Sequence, residues 1–308
     1  MIEDFVIERA SRGDVAAGAE LDAQGLLVGS AESPEQYGER LRALKTNTLA
    51  MREALGTEGR YDVEGFVVSA EEEIPETLFA DAAEVTRRLY AFSIDWVPGF
   101  FINPSFSLFF GGCAFYFYPD FFALFIIRKC FADRERWLIY SRTELLAHEL
   151  CHVARLGLMS SVFEETFAYQ TATSRFRRIM GSIFRRPSDS FLFLGSTLVL
   201  LLAQIVRTLF VPGLWIAPFW LGVAGVFAFL LARHVQHRRL FARAGQNLAG
   251  LAAADAGAVL FRCTDAEVFA ISRLSDVEAL REWIGERAAA SYRWQVLIRR
   301  FPSVGPST

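Results

Sequence analysis

Two apolar runs, Phe191 to Val206 and Leu214 to Ala232, constrain this chain more than any other feature; only Arg207-Thr208-Leu209-Phe210-Val211-Pro212-Gly213 separates them. Segments this apolar have no polar face to give to water, so they must be covered all round, by protein or by lipid. Each approaches the roughly 20 residues of a spanning helix, the first if Thr208 to Val211 are included and Arg207 snorkels. Pro212-Gly213 supplies the turn, and Trp215 and Trp220 suit an interfacial belt. The expectation is a transmembrane helical hairpin over residues 189–233 with the lipid bilayer as partner. A buried soluble hairpin is the alternative, because both runs are short for a span.

Arginines set the expected orientation. Arg175, Arg177, Arg178, Arg185 and Arg186 precede the hairpin and Arg233, Arg238, Arg239 and Arg243 follow it, against Arg207 alone between the runs. The positive-inside rule then places both flanks in the cytoplasm, at a bacterial inner membrane. The opening Met1-Ile2-Glu3-Asp4 is acidic and lacks an apolar stretch, so no cleavable export signal is expected. Cys113, Cys130, Cys151 and Cys263 form no C-x-x-C pair, which fits reduced thiols. A net charge of −3 argues against a general nucleic-acid binder.

The chemistry concentrates in His148-Glu149-Leu150-Cys151-His152. On a helix, histidines four apart project from one face and can share a divalent cation, while Glu149 lies beside them as a general base for water. Two of the four histidines in the chain fall in this register, which weakens a chance match. Ser141-Arg142-Thr143-Glu144 reads as a capping box, Leu145, Leu146, Ala147, Leu150, Val153 and Ala154 as the apolar positions, and Gly157 as a stop. Cys151 points away from the histidine stripe. His234 and His237 lack a nearby carboxylate or cysteine and read as interfacial residues.

Two histidines leave a catalytic cation short of ligands. The strongest candidate is Glu165, with Glu164 the alternative; Glu164-Glu165 opens the next helix. If Ser161 is the N-cap, Glu164 reaches back to the cap amide and Glu165 is free to face the metal. The bland reading is that both glutamates only complement the positive end of a helix. Ala168, three residues after Glu165, allows close approach to the His148 helix.

H-E-x-x-H followed by a helical glutamate resembles the gluzincin branch of the zincin metallopeptidases, with Glu165-Thr166-Phe167-Ala168 matching its E-x-x-A type third-ligand motif. The resemblance implies His148, His152 and Glu165 as Zn²⁺ ligands and Glu149 as catalytic base. Glu144 to His152, preceded by strands and followed by a membrane hairpin, is also similar to membrane-bound HtpX-like peptidases. Those carry their glutamate ligand after the hairpin in an E-x-x-x-D motif, and here Leu251-Ala-Ala-Ala-Asp255 has leucine in that place.

The function expected is a membrane-anchored zinc metalloendopeptidase acting on protein or peptide substrates near the bilayer. Tyr169, Tyr140 and Tyr292 are the candidates for stabilising the oxyanion. Two rivals are an intramembrane metallopeptidase, disfavoured by Arg142, Glu144 and Arg155 around the motif, and a non-catalytic anchor or assembly protein with a remnant or structural metal site.

The fold expected is α+β, a mainly helical zincin-like domain with a small sheet plus the hairpin. Residues 1–60 form an N-terminal helical region, with a helix starting at Ser33-Pro34-Glu35 and stopping at Gly56-Thr57-Glu58-Gly59. Residues 61–188 form the metallopeptidase core, with a helix over Ile74 to Phe92 and strands between Trp96 and Phe131 broken at Pro98-Gly99, Asn103-Pro104, Gly111-Gly112 and Pro119-Asp120. Residues 234–308 form a C-terminal region with helices over Leu248 to Leu260 and Val277 to Ile298, packing on the core.

Overall fold

The computed structural model describes residues 2–63, 66–102, 111–117 and 122–305. Three helices open the chain: α1 (Asp4–Ser11), α2 (Val15–Ala23) and α3 (Pro34–Glu58). At the start of α3, Ser33 Oγ accepts from the Gln36 amide and Gln36 reaches back to the Ser33 amide. Gly59 ends it in the left-handed conformation at φ 69°. The hairpin β1 (Arg60–Val63) and β2 (Phe66–Ser69) leads to α4 (Glu76–Tyr90), which buries Ala82 and lays Leu78, Val85 and Leu89 against the core.

The main sheet holds β3 (Gly99–Ile102), β4 (Gly112–Phe117) and β5 (Phe122–Arg128) in the order β3-β5-β4. β5 runs parallel to β3 and antiparallel to β4. Its Ala123, Phe125 and Ile127 face the large core, whereas Leu124 and Ile126 pack with Met51 and Leu55 of α3. Both faces are covered, so the strand reads as an unbroken apolar run. Gly111-Gly112 is not a turn but the entry to β4. A Cβ on Gly112 would lie 2.9 Å from the Ile126 carbonyl oxygen, so glycine is what lets the two strands close. The turns expected at Asn103-Pro104 and Pro119-Asp120 lie outside the described residues.

A short hairpin, β6 (Arg136–Trp137) and β7 (Tyr140–Ser141), feeds α5 (Arg142–Arg155), which carries the H-E-x-x-H motif. Then follow α6 (Glu164–Ala168), α7 (Arg175–Met180), α8 (Pro187–Leu209) and α9 (Ala217–Ala252). α9 has 36 residues, about 54 Å at 1.5 Å per residue, and passes Arg233 without a break. The hairpin therefore shares a helix with the C-terminal region. The helix expected over Leu248 to Leu260 is divided between the end of α9 and α10 (Ala256–Phe261). α11 (Asp265–Ile271), α12 (Val277–Ala290) and α13 (Tyr292–Arg300) complete the chain, with extended Ser291 breaking the helix expected over Val277 to Ile298.

The architecture is α+β, mostly helical with small sheets. Chain ends meet in one core: Arg262 grips Asp22 with Nε at 2.9 Å and Nη2 at 2.7 Å, and Tyr292 donates to the Asp14 carbonyl at 3.0 Å. α8 and the first half of α9 stand apart from it, whereas Ala244, Leu248 and Ala252 near the end of α9 belong to the core. Both are long and apolar enough to cross a membrane, and protein covers little of the apolar stretch of either. Leu200, Ala203 and Leu230 are buried, while most of the large exposed apolar side chains among the described residues lie between Phe191 and Phe229. That exposure corrects the alternative of a buried soluble hairpin. α5 is neither of these helices; it packs inside the domain against α4, α6 and β4.

Candidate metal centre

α5 is launched by a cap more elaborate than the expected box. Ser141 Oγ accepts from the Glu144 amide at 3.4 Å, but the Glu144 side chain turns away to Thr173 and Arg177. Glu135 replaces it, accepting from Ser141 Oγ at 2.6 Å and from the Thr143 amide at 3.2 Å. Leu145, Leu146, Leu150, Cys151, Val153 and Ala154 are buried, which leaves His148, Glu149 and His152 to line the open side. α5 ends at Arg155, two residues before Gly157, and a 3₁₀ turn over Leu156–Leu158 follows, closed by Met159 at φ 51°.

Three donors converge. His148 Nε2 and His152 Nε2 are 3.1 Å apart, and the two oxygens of Glu165 lie 3.5 Å from the first and 3.6 Å from the second. A tetrahedral cation with bonds of 2.0–2.1 Å sets its ligand atoms about 3.3 Å apart, so these spacings fit one shared ion. His148, His152 and Glu165 can hold a metal ion. Glu164, the alternative ligand, faces the other way: it takes His152 Nδ1 at 3.3 Å and Arg155 Nε at 2.8 Å. That bond holds the His152 ring with Nε2 toward Glu165.

The expected N-cap at Ser161 is supplied instead by a distant residue. Asp265 accepts from the amides of Ser161, Val162 and Phe163 at 2.7, 2.8 and 3.1 Å. Phe163 then stands just before α6, so Glu164 is freed from capping and Glu165 points at the histidines. Ala168 is fully buried and allows α6 to lie against α5. Sequence reasoning missed Asp265 and Arg155, both of which act across the fold.

Glu149 lies within the same cluster and accepts from the Ala114 amide of β4 at 2.9 Å. Burial raises its pKa to about 7 against the opposing pull of His152 and that amide. Burial first, then His152 and Arg177, hold His148 well below the usual histidine range. For His152 burial also favours the neutral ring, but the Glu164 bond and the charges of Glu149 and Glu165 outweigh it and lift the pKa to about 9. Tyr169 stands edge-on to His148 with centroids 4.7 Å apart, seated where Gly181 has no Cβ to strike its ring. Tyr140 stacks on Trp137, and Tyr292 is bound to Asp14 in the terminal helices, away from the histidines. His234 is buried at the foot of the hairpin, and His237 packs on Phe163 and Phe269.

No protein-family model, curated protein or solved structure matches this chain. The chemistry of the cluster rests on its own geometry.

That geometry has a proton linkage. A cation takes only neutral imidazole, and His152 keeps its proton up to about pH 9 in the metal-free protein. Metal affinity is expected to rise roughly tenfold per pH unit from neutrality toward 9 and then level off. Competition with a chromophoric chelator at several pH values measures it, and a flat profile would show that His152 is no ligand.

Proposed function

We propose that this chain is a membrane-anchored zinc metallopeptidase of zincin type. The observation that carries the reading is the convergence of both Nε2 atoms and the Glu165 carboxylate at the spacing of a tetrahedral ion, with Glu149 alongside. Two imidazoles and one carboxylate are a donor set suited to Zn²⁺, which when bound supplies Lewis acidity and acidifies water. His148 and His152 would hold the cation from one helical face with Glu165 as third ligand, and Glu164 fixes the second ring. Glu149, poised near neutrality, accepts a proton from the attacking water and returns it to the leaving amine.

The position of β4 supports a polypeptide substrate. Among the described residues β4 pairs only with β5, and its Ala114 amide meets Glu149, so its outer edge opens on the catalytic groups. An extended chain can add along such an edge. The apolar side chains between Phe191 and Phe229 call for lipid as their cover, because leaving each in water forgoes roughly 1.5–3 kcal/mol of burial. The arginine bias then puts the site at the cytoplasmic surface of the membrane.

Metal analysis and proteolysis on the purified full-length chain test this reading. Stoichiometric zinc, cleavage of an unfolded polypeptide, loss of both on chelation and in His148→Ala, and recovery of the wild type with added zinc are expected. Stoichiometric zinc without cleavage would leave a structural metal site and end the peptidase assignment.

A further inference from the structure

The foot of the hairpin buries more cationic donors than it satisfies. Ser182 is fully buried, yet its Oγ has no hydrogen-bond partner; His234 beside it is 1% exposed and has the Ile179 and Ser182 backbone within reach. Arg185 Nη1 and Nη2 and Arg233 Nε are buried and unpartnered as well. These groups are neighbours: Arg185 Nε donates to the Ser182 carbonyl at 3.3 Å, and Arg185 feels the charge of Arg233.

The available carboxylates are occupied. Asp189 Oδ2 takes Arg233 Nη2 at 2.6 Å and the amides of Arg185 and Arg186 at 3.0 and 3.3 Å. Asp265, the other acid acting on Arg185, has its oxygens on the amides before α6. Burial, then repulsion from Arg233, pushes the Arg185 pKa down to about 10. Buried guanidinium nitrogens without an acceptor, as Arg185 Nη1 and Nη2 are, are strongly disfavoured. A tetrahedral oxyanion supplies what is missing, with two oxygens for the Arg185 fork and others for Ser182 and Arg233.

We propose that Ser182, Arg185 and Arg233 form a phosphate-binding site at the foot of the hairpin. The phosphate comes from an anionic lipid headgroup or from soluble phosphate. The lipid source rests on the membrane reading above: α8 begins at Pro187 and the apolar part of α9 ends at Ala232, which sets the cluster at headgroup depth.

Thermal unfolding of the full-length protein, in uncharged detergent and phosphate-free buffer, tests the site. Phosphatidylglycerol is expected to raise the midpoint saturably, and a phosphate-free galactolipid is not. Inorganic phosphate giving the same rise would assign the site to the soluble anion. Arg185→Gln is expected to weaken the responding ligand at least about tenfold, and Ser182→Ala several-fold. Without ligand, Arg185→Gln should unfold close to the wild type, because it gives up one long hydrogen bond to the Ser182 carbonyl and removes two buried donors that have no acceptor.

A large drop in the ligand-free midpoint would mean that Arg185 Nη1 and Nη2 have partners within the fold, and would overturn the proposal. So would equal responses of wild type and Arg185→Gln, or no response to either phosphate source. Alkaline extraction from galactolipid vesicles separates the two readings. Wild type and Arg185→Gln both retained uphold the hairpin whatever the site does; wild type released removes the lipid source and leaves inorganic phosphate to decide the site.

Discussion

Glu149→Gln is expected to lower kcat/KM on an unfolded polypeptide by about 10²–10⁴-fold while leaving zinc stoichiometric. Glutamine keeps the shape, and its amide oxygen can still accept from the Ala114 amide, so the metal site and β4 stay in place. What it loses is the ability to take a proton. The pH dependence carries the same signature. With a metal-free pKa of about 7, Glu149 is protonated in acid and ionised above, so kcat/KM should rise with pH along an acid limb at or below that value. A bound cation draws the limb further toward acid. Residual Glu149→Gln activity should lack this limb. Undiminished cleavage by Glu149→Gln, with zinc bound, would remove Glu149 from the chemistry.

Why the ligands were legible in the sequence, and their supports were not, follows from the range of each interaction. His148, Glu149 and His152 are fixed by helical periodicity within five residues, and a capped helix places them whatever the rest of the chain does. Glu165 comes within reach because α6 begins only nine residues after α5 ends. Its neighbour Glu164 was open to the same role, and the choice between them turns on Asp265. That residue is roughly a hundred positions away, and it takes the amides that Ser161 was expected to cap. No local pattern encodes such a contact. The hairpin shows the same limit: its apolar runs are plain in the sequence, but the arginines after Ala232 read as a boundary although α9 continues through them for five further turns. Charge marks where a helix leaves an apolar surrounding, not where it ends.

Arg155→Met is expected to destabilise the metal-free protein by about 3–5 kcal/mol and to weaken zinc binding by about 10–100-fold. Arg155 is 1% exposed, and its planar group lies 4.1 Å from the Phe167 centroid and 5.3 Å from that of Phe261. It donates to the Phe261 and Cys263 carbonyls on one side and to Glu164 on the other. Removing it strands a buried carboxylate that holds His152 Nδ1, and frees the junction of α10 and α11 from α5. Lysine retains the charge but cannot serve Glu164 and both carbonyls from a fork, so Arg155→Lys should recover only part of either loss. Glu164→Gln separates the two effects. It keeps one acceptor oxygen where Glu164 offers His152 and Arg155 one each, and it loses the charge, so zinc affinity should fall with less cost to folding than removing Arg155. Chemical unfolding without metal and chelator competition measure the two quantities. If Arg155→Met unfolds late and binds zinc as the wild type does, the path from the C-terminal helices to the metal ligand carries no energy.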